Sequence, residues 1–255
     1  MNHDLFDVRD SVCLVTGASS GIGVAIAAGL AEGGAKVVLA ARRLDRLQKF
    51  ERSLSARGYS AKAIKCDVTD ERDVSAAVAE TVDSYKSLDV LVNNAGITHV
   101  SPTHQLSLED WRRVLDVNLT GVFLCAKHAS KRMIEQKKGK IINISSVYGV
   151  MADTSPELPY YASKAGVIGL SRQLALELAP YNIQVNAIAP GFFSSEMTKP
   201  IFEDADALSY TLSRIPMNRV GLPEELSGVA RFLASRASDY VTGQLIVVDG
   251  GWSLW

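Results

Sequence analysis

Cysteine is scarce in this chain. Three are present in 255 residues, Cys13, Cys66 and Cys125, and no two form a C-x-x-C pair. An odd, scattered set offers neither a disulfide framework nor metal-ligand spacing. Cys13 and Cys66 lie in strand-like runs and read as small buried side chains. No charge of either sign is in excess: 27 Lys and Arg stand against 28 Asp and Glu, a net charge of -1. Nothing in that balance suggests a nucleic-acid surface or an anionic membrane as partner. No run of about 18 apolar residues marks a membrane span. Met1-Asn2-His3-Asp4 lacks the basic and apolar parts of a secretory leader. The expectation is a cytoplasmic protein without metal. Linkers, repeats and low-complexity stretches are also missing, so residues 1–255 read as a single domain.

What is present is alternation. Of the residues, 47% are hydrophobic, and short apolar runs take turns with amphipathic stretches. Strands are expected at Val12–Thr16, Lys36–Ala40, Ala61–Cys66, Val90–Asn93, Lys140–Ser145, Gln184–Ala189 and Leu245–Val248. Apolar residues at successive positions suit parallel strands buried on both faces. Helices are expected over Gly21–Gly33, Leu44–Arg57, Arg72–Ser84, Ser107–Gln136, Tyr160–Ala179 and Pro223–Ala234. Ser107 with Asp110 resembles a capping box, and Gly139 and Pro180 suit helix exits. Such an order predicts an α/β fold, a Rossmann-type doubly wound parallel sheet of about seven strands with helices on both faces. Two stretches interrupt it. Met151–Pro159 reads as a loop, and 191–221 reads as a lid or binding loop. Both emerge at the carboxyl edge of the sheet, where ligands of open α/β sheets sit.

The stretch Thr16-Gly17-Ala18-Ser19-Ser20-Gly21-Ile22-Gly23 links the first strand to the first helix. Helix-terminal N–H groups in that setting hold a pyrophosphate. Gly17 is expected to make the turn, and Gly21 and Gly23 to allow close approach and a tight helix start. An acid about 20 positions past the glycines would bind the ribose hydroxyls of NAD. Here the second strand ends Ala40-Ala41-Arg42-Arg43. An arginine there pairs with a 2′-phosphate, so NADP(H) is expected in preference to NAD(H), with Arg42 the main contact and Arg43 the second candidate. Asp67 is a candidate acceptor for the adenine amino group. Asn93-Asn94-Ala95-Gly96 places small residues where a cofactor would lie over backbone, and equally suits a plain turn.

Redox exchange between a ketone and an alcohol needs an acid or base at the substrate oxygen. Tyr160 and Lys164 are four apart, on one face of an expected helix. An ammonium beside a phenol lowers its pKa from about 10. Tyr161 competes for the role, three residues before Lys164. Ser145 and Ser146 both end the fifth strand. Only one can face the substrate, and Ser146 is favoured.

Eight motifs in order resemble the short-chain dehydrogenase/reductase family: TGASSGIG (16–23), CDV (66–68), NNAG (93–96), DVNLTGVF (116–123), NISS (143–146), YYASK (160–164), VNAIAPG (185–191) and VTGQLIVVDGG (241–251). The resemblance implies a catalytic set of Asn118, Ser146, Tyr160 and Lys164, with Asn118 supporting a water that relays protons to Lys164. It implies that Lys164 also holds the nicotinamide ribose. It adds cofactor contacts from Gly17, Ser19, Ser20, Gly21, Ile22, Gly23, Asp67, Val68, Asn94, Ala95, Gly96, Pro190, Gly191, Phe193 and Ser195. It further implies a homotetramer built on the Ser107–Gln136 and Tyr160–Ala179 helices and the last strand. Within the family, the opening Met1–Phe6 and the run 177–199 look most like gluconate 5-dehydrogenases and related sugar-acid or polyol enzymes. A 3-oxoacyl-carrier-protein reductase or a broad carbonyl reductase is the alternative substrate reading. A non-catalytic NADP-binding module is the alternative of a different class. Lys199 and Arg214 are candidate partners for a substrate carboxylate, though each reads more simply as a solvated surface charge.

Overall fold

Seven apolar runs pair into one parallel sheet in the computed structural model, which describes residues 4–254. Met1, Asn2 and His3 of the opening segment lie outside the described residues. The strands are β1 (Val12–Thr16), β2 (Lys36–Ala41), β3 (Ala61–Lys65), β4 (Val90–Asn93), β5 (Gly139–Ile144), β6 (Ile183–Pro190) and β7 (Leu245–Val248). Their order is β3-β2-β1-β4-β5-β6-β7. The chain winds outward from β1 to β3, then returns to β4 on the other side of β1. The crevice between the carboxyl ends of β1 and β4 is therefore the topological switch point.

Every residue of β1, β4 and β5 is buried, as continuous apolar runs require of strands covered on both faces. Successive side chains divide between two layers. Cys13 and Val15 enter a cluster with Ile26, Leu30, Leu47 and Leu226, supplied by helices α1 (Gly21–Glu32), α2 (Leu44–Ala56) and α9 (Pro223–Ala234). Leu14 points the other way, into a cluster with Val78, Ala126, Met133 and Ala175. Those come from α3 (Glu71–Tyr85), α5 (Gly121–Gln136) and α6 (Leu158–Leu178). All three cysteines are free and buried. Among the described residues no helix is long and apolar enough to cross a membrane.

Five expectations need correction. The single helix over Ser107–Gln136 is three pieces: α4 (Leu108–Leu115), a π-helical segment Asp116–Thr120, and α5. Ser107 does cap α4, accepting from Asp110 N at 3.0 Å, but the Asp110 carboxylate accepts from the Ser107 hydroxyl at 2.7 Å and not from the Ser107 backbone N–H as in a full capping box. Gly139 opens β5; the helix before it is ended by Lys137, in the left-handed region at φ 52°. Pro159 belongs to the first turn of α6, where a missing N–H costs nothing. The 191–221 segment carries two helices, α7 (Lys199–Glu203) and α8 (Ala205–Arg214). Asp204 starts the second by accepting from the Asp206 and Ala207 amides.

That segment is anchored under its own cluster: Val147, Phe192, Ile215 and Trp252. Arg214 pairs with Asp153 at 3.1 Å and lies 4.5 Å over the Trp252 ring. It is thus a clamp between α8, the loop before α6 and the C-terminal turn, rather than a solvated charge. Lys199 is exposed and pairs with Glu203.

Candidate active site

A cleft of about 420 Å³ opens at the switch point. Of the catalytic and cofactor-binding set expected from sequence, all line it except Gly23 and Asn118, which are buried; the competing Tyr161 and the carboxylate candidates Lys199 and Arg214 do not line it. Three loops build the nucleotide end. Gly17 has φ +67°, and a methyl there would lie 2.8 Å from Ala95 Cα and from Asn94 Nδ2. Both the turn and the approach of two backbones therefore exclude a side chain. Gly21 also has positive φ, and a methyl there would lie 3.1 Å from Ser195 Cβ. Gly23 is right-handed; its methyl would lie 2.5 Å from Asn94 Nδ2 and Gly17 O.

Asn94 is the brace that these glycines accommodate. Its Nδ2 donates to Thr16 O at 3.0 Å and Gly17 O at 3.2 Å. Its backbone N–H and that of Ala95 donate to Thr16 Oγ1. The Asn-Asn-Ala-Gly stretch is thus a strut that fixes the glycine turn, and Thr16 is a positioning residue that the sequence reading missed. Ser20, the residue before α1, makes no side-chain cap, and the first turn of α1 holds no acid. The helix presents its leading N–H groups to the cleft, a setting that fits a pyrophosphate.

At the outer end, Arg42 is exposed and makes no hydrogen bond or ion pair among the described residues. Arg43 is engaged: it donates to Ser19 Oγ, to Ser20 Oγ at 2.8 Å and to Glu196 Oε2 at 3.0 Å. Asp67 Oδ1 accepts from the Thr69 backbone and hydroxyl, so this oxygen already shapes its own turn. Phe193 is buried and lines the cleft, with Gly221 so close that a methyl there would lie 2.2 Å from its ring. Glu196, Met197, Ile97 and Val117 also line the cleft and were not foreseen. Only the polarity of Glu196, in a segment already read as a lid, could have drawn attention to it.

The other end holds the acid–base candidates. Tyr160 and Lys164 are one turn apart on α6, and both face the cleft. Tyr161 faces away from it, its ring stacked on Tyr148 at 4.5 Å. Ser145 turns inward and donates to Lys164 O at 2.8 Å. Lys164 Nζ donates to Ile144 O at 2.8 Å and lies 5.5 Å from the centre of the Tyr160 ring. Burial dominates both titrations. It pushes the Tyr160 phenol up to about 12, against the hydrogen bond with Ser146 that lowers it, while Glu157 and Tyr161 raise it further. It pulls Lys164 down to about 8. The expectation that the ammonium lowers the phenol is not met in this geometry, because Lys164 spends its hydrogen bond on a carbonyl and not on the phenol.

Asn118 is fully buried within the π-helical segment, a helical irregularity frequent at functional sites. Its Oδ1 accepts from Ile97 N at 2.8 Å, and its Nδ2 donates to Ile97 O and Ser163 Oγ. A methyl on Gly96 would stand 3.5 Å from both Asn118 Oδ1 and Lys164 Nζ. No group of three or more His, Cys, Asp or Glu among the described residues could hold a metal ion.

Known proteins match nearly the whole of this chain. The family model described as Enoyl-(Acyl carrier protein) reductase matches residues 17–253. The 3-oxoacyl-[acyl-carrier-protein] reductase of Synechocystis is 46% identical over 94% of this chain and 96% of its own. The 5-keto-D-gluconate 5-reductase of Escherichia coli K12 is 41% identical over 98% of each. The crystal structure of a gluconate 5-dehydrogenase from Burkholderia cenocepacia, in complex with NADP and tartrate, superposes with a TM-score of 0.95. It is 38% identical and covers 99% of this chain and 100% of that one. A glycine turn over the switch point, a Tyr-x-x-x-Lys helix beside it and relatives matched end to end together assign this chain to the short-chain dehydrogenase/reductase family, oxidoreductases of CH–OH and C=O groups.

Proposed function

We propose that the protein interconverts a ketone or aldehyde and an alcohol with NADP(H), as one domain over residues 1–255 whose 191–221 segment covers the cleft. The observation that carries this reading is the meeting of Tyr160, Ser146 and Lys164 in the same cleft as the glycine turn. When bound, the nicotinamide supplies or accepts the hydride. Tyr160 is the general acid in the direction of reduction. Its phenol, pushed up to about 12, is protonated at neutral pH and can place that proton on the oxygen as a C–H bond forms at carbon. Ser146 orients the carbonyl oxygen toward it. Lys164, at about 8, is an ammonium at neutral pH and is assigned the nicotinamide ribose; in the structure its hydrogen bond goes to Ile144 O. Asn118 supports the relay that returns a proton toward Lys164. The remaining glycine-turn, strut and lid residues that line the cleft cradle the dinucleotide, with Gly23 packed behind them.

NADP is preferred over NAD in this reading. Arg42 stands uncommitted at the outer end of the cleft, with Arg43 beside it, and the Burkholderia relative is a complex with NADP. Affinities for NADP and NAD in wild type and Arg42→Ala test it: equal wild-type affinities would end the preference.

A sugar acid or polyol is the proposed substrate, supported by the Escherichia coli and Burkholderia relatives. A second reading, 3-oxoacyl groups on a carrier protein, is supported by the 46% identity to the Synechocystis enzyme. NADPH oxidation with 5-keto-gluconate, an acetoacetyl thioester and simple diketones separates them. Binding of NADPH without turnover of any of the three would favour a non-catalytic module. Four copies assembled through α4, α5, α6 and β7 are supported by exposed Leu108, Phe123, Leu176 and Val247 on those elements. The cytoplasm is the proposed compartment, where three free cysteines persist.

A further inference from the structure

Glu196 follows β6, and its carboxylate reaches across the mouth of the cleft to the start of α2. Oε2 accepts from Arg43 Nη1 at 3.0 Å, and Oε1 accepts from Arg46 Nη1. The partners lie 153 and 150 residues away in sequence, so the contact ties the lid segment to the opposite wall. Arg43 is fastened on its other side to the Ser19 and Ser20 hydroxyls of the glycine turn. Arg43 and Glu196 both line the cleft. One anion, a carboxylate of the protein itself, thus sits on a guanidinium at the place expected for the 2′-phosphate. The side chains of Arg43, Arg46 and Glu196 are 41%, 46% and 53% exposed. Ion pairs that exposed are weak, and a phosphate competes for the same guanidinium with more charge and more acceptor oxygens.

We propose that Glu196 is a specificity-determining strap: an internal anion that the 2′-phosphate of the dinucleotide displaces from Arg43, so that NADP, and not NAD, releases one of its two ties and loosens the lid, leaving Arg46 to hold it. The inference rests on the NADP reading above. A dinucleotide with a free 2′-hydroxyl brings no charge to compete and leaves the strap fastened. The two arginines hold the Glu196 carboxyl below the usual carboxylate range, so the strap stays charged at neutral pH. Removing that charge frees Arg43 for the phosphate and leaves the adenosine contacts alone.

The test uses two fragments, 2′,5′-ADP and 5′-AMP, which differ only in the 2′-phosphate and carry no nicotinamide. Isothermal titration of wild type, Glu196→Gln and Glu196→Ala gives affinities. Hydrogen exchange of the 196–203 segment gives the state of the lid. The strap predicts that both substitutions tighten 2′,5′-ADP by about two- to fivefold, the range exposed ion pairs support, with 5′-AMP unchanged. It also predicts that 2′,5′-ADP, but not 5′-AMP, speeds exchange across 196–203 in wild type, and that exchange in the variants is fast from the start. Equal wild-type affinities for the two fragments would remove the NADP reading, and the strap with it. A wild-type preference for 2′,5′-ADP that both substitutions leave unchanged or weaken would overturn the strap alone.

Discussion

Replacing Gly17 with alanine probes the joint between the glycine turn and the Asn94 strut. The native φ of +67° puts this residue in the left-handed region, which costs an L-residue with a Cβ roughly 1–2 kcal/mol. The added methyl would also stand 2.8 Å from Ala95 Cα, 2.8 Å from Asn94 Nδ2 and 2.9 Å from Ala95 N. Two of those atoms are backbone, so the strand end itself must shift, at an overpacking cost of about 1–3 kcal/mol. The expected loss is about 2–5 kcal/mol, which for a chain of this length lowers Tm by roughly 4–20 °C. Gly58→Ala is the control. Its φ is +84° with nothing within 4 Å of the added methyl, so it carries backbone strain without crowding, about 1–2 kcal/mol. Thermal and urea unfolding of the two variants, with NADP titration of each, separates the contributions. Gly17→Ala should lose more stability than Gly58→Ala, and it alone should lose nucleotide affinity. Equal losses in the two variants, with binding intact in both, would refute the claim that Asn94 and Ala95 hold the turn in contact.

Three further outcomes follow from other sites. Burial lowers Lys164 to about 8 from an ordinary lysine value of 10.5. The unfolded chain therefore binds more protons between those values, and the penalty for burying the ammonium fades as pH rises through that window. Wild type should gain roughly 3 kcal/mol on Lys164→Met from below pH 8 to above pH 10.5, read by urea unfolding across pH; a constant difference would contradict the burial of the charge. Arg214→Ala leaves Asp153, whose side chain is 4% exposed, without the guanidinium 3.1 Å away. A loss of about 3–5 kcal/mol is expected, with faster exchange across α8, and an unchanged Tm would show the clamp to be idle. Asn94→Ala removes the bonds to Thr16 O and Gly17 O; it should weaken nucleotide binding while leaving the spectroscopic signature of the fold intact, and native-like affinity would reduce the strut to a turn.

Much of this was legible in the chain because the sheet is buried on both faces. Apolar runs bounded by glycine and polar turns located all seven strands to within one residue at each end, and their β-α alternation fixed the doubly wound class. The π-helical segment at Asp116–Thr120 was not legible. Neither proline nor glycine marks its start, and the apolar spacing runs through it. The lid helices were hidden by the opposite problem. Pro200 and Asp204 are good helix starters, but the segments they open are short and read as loop. Single-residue choices divided similarly. Tyr160 lines the cleft and Tyr161 does not, while both serines line it and differ in that the Ser145 hydroxyl is committed to Lys164 O. The commitments of Asn94 to Thr16 and Gly17, and of Glu196 to Arg43 and Arg46, link residues about 80 and about 150 apart in sequence. No local pattern encodes such pairs. The balance of burial against charge at Tyr160 likewise depends on what the folded chain packs around it.

The most direct test of the central claim is kcat for carbonyl reduction in Tyr160→Phe and Tyr161→Phe, each with its affinity for NADPH measured alongside. Loss of a general acid should cut kcat by roughly 100-fold or more in Tyr160→Phe, with NADPH affinity close to wild type and Tyr161→Phe largely active. Retained turnover in Tyr160→Phe, or a collapse in Tyr161→Phe alone, would contradict the assignment of the proton to Tyr160.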